Sequence, residues 1–184
     1  MQFLLEYMKH PSKIGAVAPS SRYLARKMVE SVCFQECGCI VEYGPGTGVF
    51  TEQIVLRKKE DTVLLVIEQN EQFYEILKER YANKQNVYVI HGDAADILHY
   101  LHSRGIPQAD YIISGLPFTS LPPQVSKKIF HATKKAMGEG GRFITFQYTL
   151  LKKKLFQYWF NIEHMSFELK NLPPAYVFTM TNRC

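Results

Sequence analysis

The chain has 184 residues, of which 46% are apolar and 21% charged, with a net charge of +5. That length suits one domain with a full core, and the composition is that of an ordinary soluble globular protein. No apolar run approaches the ~20 residues of a membrane span, and the opening MQFLLEYMKHP lacks a signal peptide's long apolar segment, so the expected location is cytoplasmic. Cys33, Cys37, Cys39 and Cys184 have neither paired C-x-x-C motifs nor a paired His, so they read as free thiols and no metal site is expected. The charge is unevenly placed. Residues 1–30 carry five basic side chains against two acidic, residues 150–184 again five against two, and the middle of the chain is near neutral. Two basic ends suit an anionic partner, lipid headgroups or nucleic acid, although a merely solvated surface has the same look.

In chain order, residues 2–9 form an amphipathic helical turn or two, broken at His10-Pro11, and residues 14–19 are a small-residue apolar segment. Ser20 or Ser21 is a natural cap for a helix over 23–32, where Leu24, Met28 and Val32 recur at helical spacing. A strand is expected at 39–43, a helix at 51–58, and a continuous apolar strand at 63–67 of the kind buried on both faces of a parallel sheet. Helix 71–81, strand 87–90, helix 94–102, strand 111–113, helix 124–137 and strand 142–148 follow. A helix at 150–160 and two last strands near 162–169 and 175–181 complete the pattern. Strands alternating with helices predict a doubly wound α/β sheet in a single domain over 1–184, with residues 1–32 as an N-terminal helical segment.

Residues 40–48 read I-V-E-Y-G-P-G-T-G. An apolar run ending in an acid, three glycines at alternate positions and a helical pattern from Val49 make a strand–loop–helix unit. Its backbone can turn sharply and approach a ligand closely, and its helix N-terminus faces the same place. The spacing is not the dinucleotide G-x-G-x-x-G. Strand two ends in Glu68, placed to accept from ribose hydroxyls; strand three ends in His91-Gly92-Asp93-Ala94, where Asp93 either accepts from an adenine amine or caps a helix. Strand four ends in S-G-L-P-F-T-S-L-P, residues 114–122.

The pattern E-x-G-x-G-x-G with Glu42 before the loop resembles motif I of the class I S-adenosylmethionine methyltransferases, whose fold is Rossmann-like with a seven-stranded, mostly parallel sheet and helices on both faces. That resemblance implies the strand order 3-2-1-4-5-7-6 with an antiparallel last strand. The strand-four segment is similar to the N-L-P-Y or N-P-P-F of the rRNA adenine dimethylases, with Ser114-Gly115 in place of the Asn that holds a flipped adenine. Taken with IGAVAPSS at 14–21, HGDAAD at 91–96 and NLPPA at 171–175, the chain is identified as resembling the soluble bacterial phospholipid N-methyltransferases, which methylate phosphatidylethanolamine stepwise. The rRNA dimethylases carry a further helical domain that is not expected here.

The resemblance implies S-adenosylmethionine as cofactor. Gly44, Gly46 and Gly48 would hold its methionine part, with Glu42 near the ammonium and Ser20 and Ser21 near the carboxylate. Glu68 would hold the ribose, Asp93 and Ala94 the adenine, and Ser114, Gly115 and Leu116 would face the transferred methyl. Ser114 and Tyr148 are the candidate catalytic groups, and Phe118 and Tyr148 the aromatic faces for a quaternary ammonium. The implied acceptor is an aminophospholipid at the inner membrane face, bound peripherally. The lysine-and-aromatic segment 150–160 and the N-terminal helix are the candidate membrane contacts. Nucleic acid is the alternative partner, as for an RNA adenine N6-methyltransferase.

Overall fold

The computed structural model describes residues 20–183, so the segment at 2–9, most of the IGAVAPSS stretch and Cys184 lie outside the described residues. Among the described residues, seven strands alternate with six helices. In chain order these are α1 (Arg22–Val29), β1 (Cys39–Tyr43), α2 (Val49–Val55), β2 (Val63–Glu68), α3 (Glu71–Tyr81), β3 (Val87–His91), α4 (Ile97–His102), β4 (Ala109–Ser114), α5 (Pro123–Ala136), β5 (Met137–Gln147), α6 (Lys153–Trp159), β6 (Phe160–Glu168) and β7 (Ala175–Asn182). The strands form one sheet in the order β3-β2-β1-β4-β5-β7-β6. The pairings among β1 to β5 are parallel, and β7 runs antiparallel to both β5 and β6. This is the α/β, Rossmann-like sheet and strand order that the motif pattern implies.

Burial explains the composition of each strand. β1 is buried along its whole length and β2 from its second residue on, so both read as unbroken apolar runs rather than alternating ones. β3 lies at the edge and keeps Tyr88 and His91 exposed. Side chains alternate between two cores. On one face Leu24 and Met28 of α1, Phe50 and Ile54 of α2 and Leu77 of α3 cover Ile40, Leu64, Val66, Ile113 and Ile144. On the other, α4, α5 and α6 cover Val41, Leu65, Ile112, Phe143 and Phe178. Phe130 of α5 is the hub of that second core, with ring centroids 4.6 Å from Phe118, 5.8 Å from Phe156 and 5.6 Å from Phe160.

Helix starts follow local chemistry. Ser21 caps α1 by accepting from the Leu24 amide, and Asn70 caps α3 by accepting from Phe73. Several bounds depart from the periodic reading: α1 ends at Val29 instead of 32, and α2 spans Val49–Val55 instead of 51–58. Residues 94–96 are a turn of 3-10 helix opened by Asp93, and the α-helix begins only at Ile97. β5 reaches back to Met137 through a stretch of three glycines that carries no apolar alternation to betray it. Helix α6 starts at Lys153 instead of 150, because residues 149–152 turn the chain away from the sheet end.

The aromatics of the 150–160 segment go chiefly to the core. Phe156 and Phe160 are fully buried and Trp159 packs on Phe130, which leaves Leu150, Leu151 and Tyr158 as its exposed apolar residues. Truncating the hub, Phe130→Ala, is expected to lower the unfolding free energy by about 3–5 kcal/mol. Denaturant titration of the two proteins measures it, and a loss below about 1 kcal/mol would remove Phe130 from that central role.

Candidate active site

The carboxyl ends of β1 to β5 open on one cavity of about 430 Å³, within the range of small-molecule sites. Its floor is the loop after β1. Gly44, Gly46 and Gly48 all adopt positive φ, at 58°, 54° and 85°, a backbone that side chains rarely tolerate. Each turn of the loop is tied. The Gly44 amide donates to Ile67 O at 3.0 Å, the Gly46 amide to Glu68 Oε2 at 3.0 Å, and the Gly48 amide to Pro45 O at 2.9 Å. A Cβ on Gly46 would meet no atom within 4 Å, so this missing side chain faces open space where the residue lines the cavity.

Glu68 ends β2 and is almost wholly buried. Its second oxygen accepts from the Asn70 amide at 2.8 Å, so one carboxylate joins the glycine loop to the start of α3. Burial raises its pKa, and the amides of Asn70, Gly46 and Gln69 pull it partly back. Beyond β3, Gly92, Asp93 and Ala94 line the next part of the wall. Asp93 Oδ1 accepts from the Ala95 amide at 2.9 Å, so the helix-cap role open in the sequence is filled, while the residue also borders the cavity.

The β4 loop forms the opposite wall. The Gly115 amide donates to Tyr43 O at 2.8 Å, and a Cβ there would stand 2.5 Å from Gly44 O; this is a contact of backbone on backbone that only glycine admits. Gly115, Leu116 and Pro117 line the cavity, but Ser114 does not. Its side chain is fully buried and its hydroxyl accepts from the Leu116 amide at 3.2 Å, so it shapes the loop. Phe118 likewise turns away. It is fully buried among Phe130, Phe143 and Phe156, which corrects its expected place before a cationic group. Tyr148 does line the cavity, edge-on to Phe146 at 5.4 Å.

At the mouth, Ser20 lines the cavity whereas Ser21 is spent on capping α1. Two residues escaped the sequence reading. Gln147 lies on the cavity wall at the end of β5, 3% exposed, and its Nε2 has no hydrogen-bond partner. Asn171, the first residue of NLPPA, is also 3% exposed and accepts from the Ser21 amide at 2.9 Å across the chain. A glutamine in a strand gives no periodic signal, and the asparagine's partner is 150 positions away.

Glu42 lies beneath the loop and not on the wall. It is fully buried, neither carboxyl oxygen has a hydrogen-bond partner, and desolvation pushes its pKa up to about 8; nearby Thr51 tempers the rise and the Glu68 charge adds to it. The folded protein therefore keeps a proton that the unfolded chain releases near 4.5. Its contribution to stability is complete below that pH and is lost as pH rises through about 8. Thermal melts of the ligand-free protein should show this decline between those limits. Glu42→Gln should flatten it and raise stability at pH 8 by a few kcal/mol, since each tenfold difference in proton affinity between the two states is worth on the order of 1.4 kcal/mol. Equal pH slopes for both proteins would refute the assignment.

With this geometry in place, comparison with known proteins is specific. The family model for ribosomal RNA adenine dimethylase matches residues 20–158. An ornithine lipid N-methyltransferase of Singulisphaera acidiphila is 35% identical over 175 residues, covering 94% of this chain and 91% of the relative. A probable ribosomal RNA small subunit methyltransferase A of Pyrococcus furiosus is 29% identical over 73% of the chain, which spans only 46% of that protein. Among solved structures, the N-methyltransferase NodS of Bradyrhizobium japonicum superposes with a TM-score of 0.67 at 11% identity, over 89% of this chain and 94% of that one, a likeness of fold. The chain thus belongs to the ribosomal RNA adenine dimethylase family and is an S-adenosylmethionine-dependent N-methyltransferase.

Proposed function

We propose that the protein methylates the amine of a membrane aminolipid at the inner face of the cytoplasmic membrane, with phosphatidylethanolamine as the expected acceptor. The observation that carries this reading is the end-to-end match to a lipid N-methyltransferase, 94% of one chain on 91% of the other, where the rRNA relative is matched over less than half its length. The departure at Ser114-Gly115 points the same way, since an unpaired polar base edge would cost about 1–3 kcal/mol.

The cavity residues fit the cofactor. Gly46 presents open space where any other residue would put a side chain. Gly44 and Gly46 would carry the methionine part, Ser20 its carboxylate, Glu68 the ribose hydroxyls and Asp93 with Ala94 the adenine; Glu42 and Gly48 would support the loop from below, and Ser21 the entry from α1. Each Glu68 oxygen holds one backbone amide and has a lone pair to spare. Bound S-adenosylmethionine supplies an electrophilic methyl on a sulfonium. The chain's own task is positioning, which accounts for much of the rate in an in-line transfer. Gly115, Leu116 and Pro117 would set the amine opposite the methyl, their loop held by the Ser114 hydroxyl, and the wall about them is largely apolar. A lipid ammonium entering such a wall loses water and releases its proton more readily. Tyr148 lines the cavity, where its hydroxyl would accept a hydrogen bond from the amine N–H and orient its lone pair while the proton leaves to water, and its ring offers a face to the more methylated, cationic products. Gln147 Nε2 is a donor for a headgroup oxygen.

Removing a hydrogen-bond partner of the cofactor costs on the order of 1–3 kcal/mol, so Glu68→Gln and Asp93→Ala should each weaken S-adenosylmethionine about five- to 150-fold by calorimetry. Unchanged affinity in a folded Asp93→Ala protein would remove it from adenine recognition. The acceptor is decided by offering labelled cofactor with vesicles of phosphatidylethanolamine, vesicles of ornithine lipid and ribosomal RNA side by side. Label is expected in lipid; label confined to N6-methyladenine would establish the RNA reading instead.

A further inference from the structure

The NLPPA motif lies in the connection between β6 and β7, outside the cavity wall, and the site described above leaves it without a role. Its place follows from register. Glu168 pairs with Ala175, and Gln147 pairs with Tyr176, so this connection emerges at the same end of the sheet as the cavity. Leu169 and Leu172 are 72% and 82% exposed there, among the most exposed apolar side chains described. Phe167 continues the ridge along the edge strand, its ring tilted against Tyr176 at 4.5 Å between centroids and still 44% exposed.

The backbone beneath these side chains is fixed. Between the two leucines, Asn171 turns inward, donates to Pro173 O at 2.7 Å and accepts from the Ser21 amide, one residue from Ser20 on the cavity wall. A loop pinned by a buried amide while its leucines face outward is built to present them. Cations stand beside it: Lys170 is 5.1 Å and Arg22 5.4 Å from the ring centroid of Tyr23 at the α1 start. At the same end of the sheet, the turn after β5 repeats the combination, with Leu150 and Leu151 exposed beside Lys152, Lys153 and Lys154.

We propose that the β6–β7 connection is a docking finger for one leaflet of an anionic bilayer, with Leu169 and Leu172 seated in the acyl boundary and Lys170 and Arg22 on lipid phosphates. It rests on the aminolipid reading above and adds to it the surface that sets the cavity mouth against the headgroups. Paired leucines suit a hydrocarbon boundary, whereas a nucleic acid presents phosphates and base edges with no layer for them to enter.

The test uses the full chain and two readouts. Sedimentation with vesicles of phosphatidylglycerol and phosphatidylcholine measures docking. Turnover of monomeric dihexanoyl phosphatidylethanolamine measures the site without a membrane. The double variant Leu169→Ser, Leu172→Ser is expected to lose roughly tenfold or more in partition, since each leucine withdrawn from an apolar phase gives up a factor of that order. Lys170→Glu should weaken binding to anionic vesicles at low salt and leave neutral vesicles unaffected. Both variants should melt as the wild type and methylate the monomeric lipid at its rate. Partition of the leucine variant equal to wild type overturns the finger, as does a wild type that ignores anionic vesicles. Failure of the acceptor reading has a different signature, label in RNA and none in any lipid, monomeric or in vesicles.

Discussion

The bond between the Glu68 carboxylate and the Gly46 amide is the constraint on which the site depends. A glycine loop in three left-handed turns has no intrinsic preference for one shape, and glycine gives up more conformational freedom on ordering than any other residue. Here the loop takes its shape from outside itself, from a buried carboxylate on the neighbouring strand and from Gly115 pressed against the Gly44 carbonyl. β1, β2 and β4 must therefore be in register before the cavity floor exists. The same carboxylate reaches the Asn70 amide, so the loop and the start of α3 move as one piece.

Two buried acids share this corner and are treated differently. Glu68 has an amide on each oxygen, which offsets part of the upward push that burial gives its pKa. Glu42 has no donor and is driven toward its neutral form. The pair thus differs in what holds each carboxyl, amide donors at the cavity and desolvation alone beneath it, although burial raises the pKa of both. Gln147 adds an unpaired donor on the far wall. These buried polar groups stand against an otherwise apolar surface, so orientation within the cavity rests on few directional contacts.

Much of this was legible in the chain itself. The unbroken apolar runs of β1 and β2, the E-x-G-x-G-x-G loop and the strand-ending Glu68 and Asp93 predict an α/β sheet and the end of it that bears the candidate site, and the family resemblance adds the seven strands and their order. What escaped has physical reasons. Ser114 and Phe118 sit in the right segment, yet their side chains turn to the loop amide and to the aromatic core, because direction out of a loop is set by packing that no local pattern encodes. The glycine-rich start of β5 carries no alternation. Asn171 reads as a loop residue until its long-range bond to Ser21 is seen, and the aromatic run at 156–160 looks interfacial until the Phe130 hub absorbs it.

The antiparallel β7 has a consequence for how the molecule is made. It comes after the other described strands in sequence and is an interior one in the sheet, flanked by β5 and β6. During synthesis the parallel half can close while β5 still ends in a bare edge and β6 has no neighbour at all, since each pairs through β7. Phe178 and Met180, both fully buried, are then missing from the second core, and the face they complete lies open to water. The nascent chain carries an unpaired edge beside exposed aromatics until β7 emerges, a state that invites pairing with other chains. Vectorial synthesis and sheet order run against each other at this one strand, so β7 seals the sheet from within after the strands on both sides of it have been made.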